Sequence, residues 1–423
     1  MRFGLIALCL VACSGGSHSP TWTEDVEPLV QQRCDGCHAV GGIAPITLDS
    51  YLKARVHGQQ MADAARSGRM PPWPPGPKSA ALKNSRALAE ADIKLIEDWV
   101  AGGMPAGPAS AHKERSPDVP TVRHDLEVSM AEPYTPPADV TDDYRCFIID
   151  PKADAEKLIT AYDVHPGTPG NVHHVILFEI MDQGDALQQL QALDDADPGP
   201  GYTCFGGPMV DVSTNGPMDL PPIRFVGGWA PGQGATREPK HTGILLGKNS
   251  RLLMQVHYNL LNGRNEDLTT ATLELEPKST AYNEALLIPF PDSDFKIPAG
   301  KKYTDTQSFV MPSWVPPFTI YTVYPHMHLL GTSISLSMAP NHDATRSKTL
   351  IDVPNWDFHW QGAYELETPV PVKAGDSVSV TCTWDNTAAH QPELHGLQSA
   401  PRDVSWGEKT TDEMCLGFLY VTF

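Results

Sequence analysis

The apolar positions of this chain change period near residue 105. Before that point they recur at helical spacing: Val26, Leu29 and Val30 form one stripe, preceded by Thr21 with Glu24 three residues later, the spacing of a capping box. Residues 88–100 carry Ile93, Ile96, Trp99 and Val100 on one face and stop at Gly102 and Gly103, as a helix ending on glycine does. Beyond 105 no long helical run survives, and 40 prolines and 34 glycines punctuate the chain, the mark of short strands joined by turns. Residues 253–259 alternate, with Met254, Val256 and Tyr258 on one face and Gln255, His257 and Asn259 on the other. The pattern predicts a small all-α segment followed by a β-rich bulk. At 423 residues the chain exceeds what one core serves, so two or three domains are expected.

The first residues belong to neither part. Arg2 precedes an apolar run from Phe3 to Ala12, closed by Cys13 and a small, polar stretch, which reads as an export signal. Leu10-Val11-Ala12-Cys13 resembles a bacterial lipobox, in which Cys13 takes lipid and becomes the mature N-terminus; an ordinary secretory signal is the alternative. No later window is long enough to span a bilayer, so lipid would be the membrane attachment. Ser14 gives no inner-membrane retention signal, which favours a periplasm-facing or surface-exposed outer-membrane lipoprotein. Against 31 Lys+Arg stand 51 Asp+Glu, a net charge of -20 that disfavours nucleic acid as a partner.

With Cys9 lost in the signal, Cys34 and Cys37 fall in the string Cys34-Asp35-Gly36-Cys37-His38. Two thiols at that spacing can form thioethers with one porphyrin, and the adjacent imidazole of His38 can reach its iron. A redox CxxC is the alternative, but it would want a thioredoxin-like βαβ context that the surrounding sequence lacks. Met70, held in Arg69-Met70-Pro71-Pro72-Trp73, is the leading sixth ligand, because the prolines hold an extended loop that can aim a thioether. Met61, Met104 and His57 are its rivals, and a packing methionine is the plain alternative. Residues 20–104 resemble a class I cytochrome c domain, and 105–121 read as a linker. The remaining cysteines, Cys146, Cys204, Cys382 and Cys415, form an even set in an oxidising compartment, so two disulfides are expected. Pairing within each half of the β region is the simplest of three connectivities.

Four further strings carry candidate metal ligands. His173 and His174 are neighbours leading an apolar strand; on a regular strand they point to opposite faces, so joint ligation requires a local twist or different ring nitrogens. His257 lies on the polar face of its strand, where solvent exposure is the plain alternative. His326 and His328 share one face by period-two geometry, and Met414 stands beside Cys415. Imidazole with thioether selects copper over magnesium or calcium.

In the order HHVILF, LLMQVHYN, HMHLLG, DEMC, these strings resemble the copper type II, ascorbate-dependent monooxygenases over residues 122–423. The resemblance implies two consecutive jelly-roll sandwiches, 122–281 and 282–423, with one copper in each across a solvent-filled cleft. It assigns His173, His174 and His257 to an electron-transfer copper, and His326, His328 and Met414 to a catalytic, dioxygen-activating copper. It also implies the disulfides Cys146–Cys204 and Cys382–Cys415. Gln255, on the face of His257, would order water or substrate, or be merely solvated. His165, His241, His342, His359, His390 and His395 lie outside the motifs and are read as surface or packing residues.

The implied reaction is C–H hydroxylation of a small organic substrate by dioxygen, drawing electrons from an ascorbate-like reductant or a redox protein. Peptide-amidating members of the family anchor a carboxylate through an arginine, an asparagine and a tyrosine, where this chain has Tyr324, Leu416 and Phe418. An anionic peptide end would be buried there without a cation, so a neutral or aromatic substrate is expected. A tethered haem would deliver electrons at the millimolar effective concentration, roughly, of short flexible linkers. The same ligands would also serve a non-enzymatic haem and copper electron carrier or copper-handling protein.

Overall fold

The computed structural model describes residues 19–40, 44–111, 121–140, 142–204, 207–210, 221–231, 233–260, 263–279, 281–394, 397–407 and 411–423. The export signal with Cys13, the stretch 112–120 and His395 lie outside them. An N-terminal helical region precedes large β sheets.

The helical region holds short helices at Glu27–Arg33, Asp35–His38, Tyr51–Val56 and Gly58–Arg66 before the long helix Glu90–Ala101. Trp22, Val26, Val30, Ala54, Ile96 and Trp99 close one core, with Trp22 and Trp99 rings 5.7 Å apart. The expected capping box differs by one residue. The first turn, Trp22–Val26, is wound wider than an α-helix, so Asp25 rather than Glu24 reaches back to the Thr21 backbone N–H at 2.8 Å. Glu24 instead accepts the Thr21 hydroxyl at 3.2 Å.

The β region is built on a nine-stranded sheet faced by a five-stranded sheet in its first half and a four-stranded sheet in its second. The strands are open sheets rather than closed barrels. Their burial alternates with period two between bulges: in Phe318–Met327, buried Phe318 and Ile320 alternate with half-buried Thr319 and Tyr321, and a register shift between Ile320 and Thr322 changes the phase, so that Val323, Pro325 and Met327 are the buried positions beyond it. The two halves are joined by hydrogen bonds as well as by chain. Asn283–Pro291 pairs in parallel with Thr242–Leu246 of the first half and antiparallel with Cys415–Thr422 of the second. Disulfides Cys146–Cys204 and Cys382–Cys415 staple one half each.

The helical region does not hang from a tether. Residues 73–83 run along two strands of the second half: Gly76 N–H donates to Asp352 O at 2.7 Å, Lys83 N–H to Glu365 O at 2.8 Å, and Glu367 N–H to Ala81 O at 2.9 Å. Ser79 Oγ donates to Asp352 O and accepts from its N–H. Trp73 stands edge-on to Tyr364 at 5.5 Å. Gly76 permits this approach, because a Cβ there would meet Pro354 at 2.8 Å. The prolines around Trp73 keep this segment extended, and an extended chain can pair along a sheet.

Candidate metal centre

His173, His174 and His257 bring one ring nitrogen each within 4.8 Å of the others. The neighbours achieve this by a break in register: Val172 pairs with Tyr258 and His174 with His257, so a residue is inserted at His173. Such a bulge turns consecutive side chains toward one side, which is the local twist a shared site needs. The Nδ1 atoms face one another, His173 to His174 at 3.4 Å and His174 to His257 at 3.3 Å. Opposed nitrogens cannot all carry hydrogen, so this face presents lone pairs. His257 confirms the assignment, since its Nε2 bonds Asp142 Oδ1 at 2.9 Å and must hold the hydrogen. Tyr144 stacks on His257 at 4.0 Å. Burial and the nearby His257 push His173 down to about 4, and burial with His257 and His173 pushes His174 well below the ordinary range. These rings are neutral at pH 7, the form that binds metal.

His326 and His328 have ring centroids 5.1 Å apart. His326 Nδ1 lies 2.6 Å from Gln361 Oε1, while the Gln361 amide nitrogen donates to Phe358 O, so the glutamine can only accept from His326. His328 Nδ1 donates to Asp412 O at 3.2 Å. Both rings therefore present Nε2, the opposite choice to the first group. Burial and His328 push His326 down to about 4. Cys415 pairs with Met327, so Met414 and His328 stand one step beyond that pair, each at the end of its own strand. Fully buried Glu413 holds this corner: Oε2 accepts from His328 N–H at 3.1 Å and Trp384 Nε1–H at 3.0 Å, and Oε1 from Leu330 N–H at 2.6 Å. Burial pushes Glu413 up to about 8, and these donors pull against it.

The residues at the expected substrate wall meet a partner that the motifs do not mark. Tyr324 pairs with Phe418, and both rings pack on Phe225 of the first half at 6.1 and 6.0 Å. Leu416 is the register partner of His326. Gln255 is not solvated: it is buried and donates to Cys204 O at 2.9 Å, bracing the disulfide. His359, read as a surface residue, stands 6.3 Å from His173, ring to ring.

In the helical region Cys34 and Cys37 are not joined in a disulfide. Burial, reinforced by Asp35, pushes Cys34 up to about 12, and burial also raises Cys37, the opposite of the depressed thiol that redox CxxC chemistry uses. His38 Nδ1 donates to Ile46 O at 2.9 Å, leaving Nε2 free. Met61 and Met104 pack with the helical core, Met104 against Gly58, whereas Met70 is absent from that cluster. His57 Nδ1 is engaged by Gln60 at 2.8 Å. Among the described residues no helix is long and apolar enough to cross a membrane.

Asp142, Gln361 and Phe225 carry no motif, and Glu413, although inside the DEMC string, is assigned no role by it. Each reaches its site from a remote strand or loop, and no local spacing announces such a contact.

Residues 279–422 match the family described as copper type II ascorbate-dependent monooxygenase, C-terminal domain. Over 215 residues the chain is 22% identical to a tyramine beta-hydroxylase of Caenorhabditis briggsae, a match covering 46% of this chain and 33% of that protein. The chain thus spans about a third of that relative's length. Among solved structures, the major capsid protein P2 from Bacteriophage PM2 aligns with 66% of this chain and 97% of its own, at 8% identity and a TM-score of 0.27. A putative alpha-L-fucosidase from Bacteroides ovatus aligns with 73% of this chain and 41% of its own, at 12% identity and a TM-score of 0.19. Scores this low carry nothing about fold or function.

Proposed function

We propose that this chain, whose residues 279–422 form a copper type II monooxygenase C-terminal domain, hydroxylates a C–H bond of a small neutral or aromatic substrate with dioxygen. The observation that carries the reading is the convergence of three imidazole nitrogens within 4.8 Å, beside a second pair of histidines whose Nδ1 hydrogens are held by Gln361 and the Asp412 carbonyl.

Copper fits these donors. His173, His174 and His257 would hold one ion, the electron-transfer copper, and His326, His328 and Met414 a second, where the soft thioether favours the cuprous state. Bound there, copper supplies one-electron redox chemistry and activation of dioxygen. The chain's own work is to fix the ligands. Asp142 keeps a hydrogen on His257 Nε2, while Gln361 and the Asp412 carbonyl keep one on Nδ1 of His326 and His328. Burial keeps His173 and His326 neutral. Tyr324, Phe418 and Phe225 bring together apolar surface from both halves, suited to a substrate without charge.

A c-type haem fits the helical region. Cys34 and Cys37 would take the thioethers, His38 the iron through Nε2, and Met70 the opposite face. The buried Nε–H of Arg33, beside Cys34, has no hydrogen-bond partner among the described residues and suits an anionic group such as a haem carboxylate. The haem would supply electrons one at a time, refilled by an external reductant. We place the protein as an exported lipoprotein anchored at Cys13, in keeping with its two disulfides.

The test is a search for metabolites that gain one oxygen atom on incubation with copper-loaded protein, dioxygen and a reductant. A product formed by the native chain and lost in His326→Ala supports the reading. Copper binding without any substrate-stimulated oxygen uptake would leave an electron carrier instead.

A further inference from the structure

We infer that His359 is a further copper ligand, lent to the three-histidine cluster by the second half of the β region. The inference rests on the copper reading above and extends it to a residue outside every motif.

Spacing is the first ground. Within the cluster the ring centroids lie 4.8, 4.8 and 5.6 Å apart, and those of His326 and His328 lie 5.1 Å apart. His359 stands 6.3 Å from His173, beyond the widest of these by 6.3 against 5.6 Å. Its side chain is 67% exposed and that of its partner Asp357 50%, so the two can shift toward the cluster together, with their bond kept, against little packing.

Preparation is the second. His359 Nδ1 donates to Asp357 Oδ1 at 2.9 Å, and the same oxygen accepts the His359 backbone N–H at 2.9 Å. The hydrogen is thereby held on Nδ1 and the lone pair on Nε2. Asp142 does the same for His257 with the nitrogens exchanged. A solvated histidine on an acidic surface needs no such partner, and one lying beside three metal-competent imidazoles has a use for it.

Copper's own preferences are the third. Three imidazoles satisfy the cuprous ion, whereas the cupric ion favours a tetragonal set with a fourth donor. His359 is suited to that place, and its loop is not independent of the other centre. Phe358 lies 6.0 Å from the His328 ring, Trp356 Nε1–H donates to His328 O at 3.3 Å, and Gln361 holds His326. Residues 356–361 therefore touch both groups of histidines, and a ligand taken up at His359 pulls on the segment that orients His326.

The experiment uses the full chain carrying His326→Ala, which leaves the three-histidine cluster as the principal copper site. Cupric paramagnetic resonance and copper affinity are compared with and without His359→Ala. The spectrum should lose the superhyperfine contribution of one nitrogen, and cupric affinity should fall by at least the roughly tenfold that losing an outer partner costs. Cuprous affinity should stay unchanged. Asp357→Asn should give an intermediate loss, without which His359 alone could act by bulk. Identical spectra and affinities in the presence and absence of His359 overturn the inference while leaving the three-histidine site intact. Cupric binding that is indifferent to His173→Ala and His257→Ala overturns the copper reading, and this inference with it.

Discussion

Because Asp142 takes the hydrogen of His257 Nε2, the nitrogen facing His174 is left with its lone pair, and the cluster is set for metal before any metal arrives. Replacing Asp142 by alanine frees the ring to rotate and to exchange tautomers. Copper affinity at this cluster should fall roughly 10- to 100-fold, as it does when such partners are removed elsewhere, in competition with a chelator. Glu413 makes a comparable case for stability. Both its oxygens accept, so in Glu413→Gln an amide nitrogen must face the N–H of Leu330 or those of His328 and Trp384. The loss should be about 1–3 kcal/mol in urea unfolding, the cost of leaving a buried donor unmet. The clustering of His173, His174 and His257 was legible in the sequence because their strings are distinctive. Asp142, Gln361 and Glu413 act through contacts made by folding, and Gln255, which does stand on the face of His257, proved to brace a disulfide.

At the scale of the element, the bulge at His173 is what the adjacent pair demanded, and the sequence states the demand without stating how it is met. Alternation located the strand Arg251–Asn259, yet it could not say that both faces would be covered. The parallel pairing of Asn283–Pro291 with Thr242–Leu246, which fuses the halves, has no local signal at all. Beside that seam lies Glu238, buried near Tyr420 and pushed up to about 8 by burial. The folded chain keeps this proton between the ordinary glutamate value, 4.5, and about 8, whereas the unfolded chain releases it. The stabilisation from Glu238 is therefore full below the lower value and is lost as pH rises through the higher. In thermal unfolding, the decline in melting temperature from pH 6 to 9 should be shallower in Glu238→Gln than in the native chain.

For the whole molecule, the feature least visible in the sequence is the docking of the helical region. The prolines around Trp73 read as a device for aiming Met70; they also carry residues 73–83 across the edge strands of both sheets of the second half, of which the nine-stranded one holds His326. Arg86, close behind, lowers both the Cys37 thiol and the Tyr364 phenol against the effect of burial, so its charge bears on the cysteine motif and on the second half of the β region alike. For the proposed haem, the backbone bonds of residues 73–83 are a stronger restraint relative to the histidines than a tether gives. Trp73→Ala removes the edge-on contact with Tyr364, worth about 0.5–1.5 kcal/mol beyond its buried area. Small-angle scattering should then show a larger radius of gyration, and an unchanged one would mean that the backbone bonds of 73–83 suffice. The central claim, that this assembly inserts oxygen into a C–H bond, is tested most directly by supplying isotopically labelled dioxygen to the copper-loaded chain with its substrate. Label in the new hydroxyl group, absent with His326→Ala, is the predicted result; a product whose oxygen comes from water would contradict it.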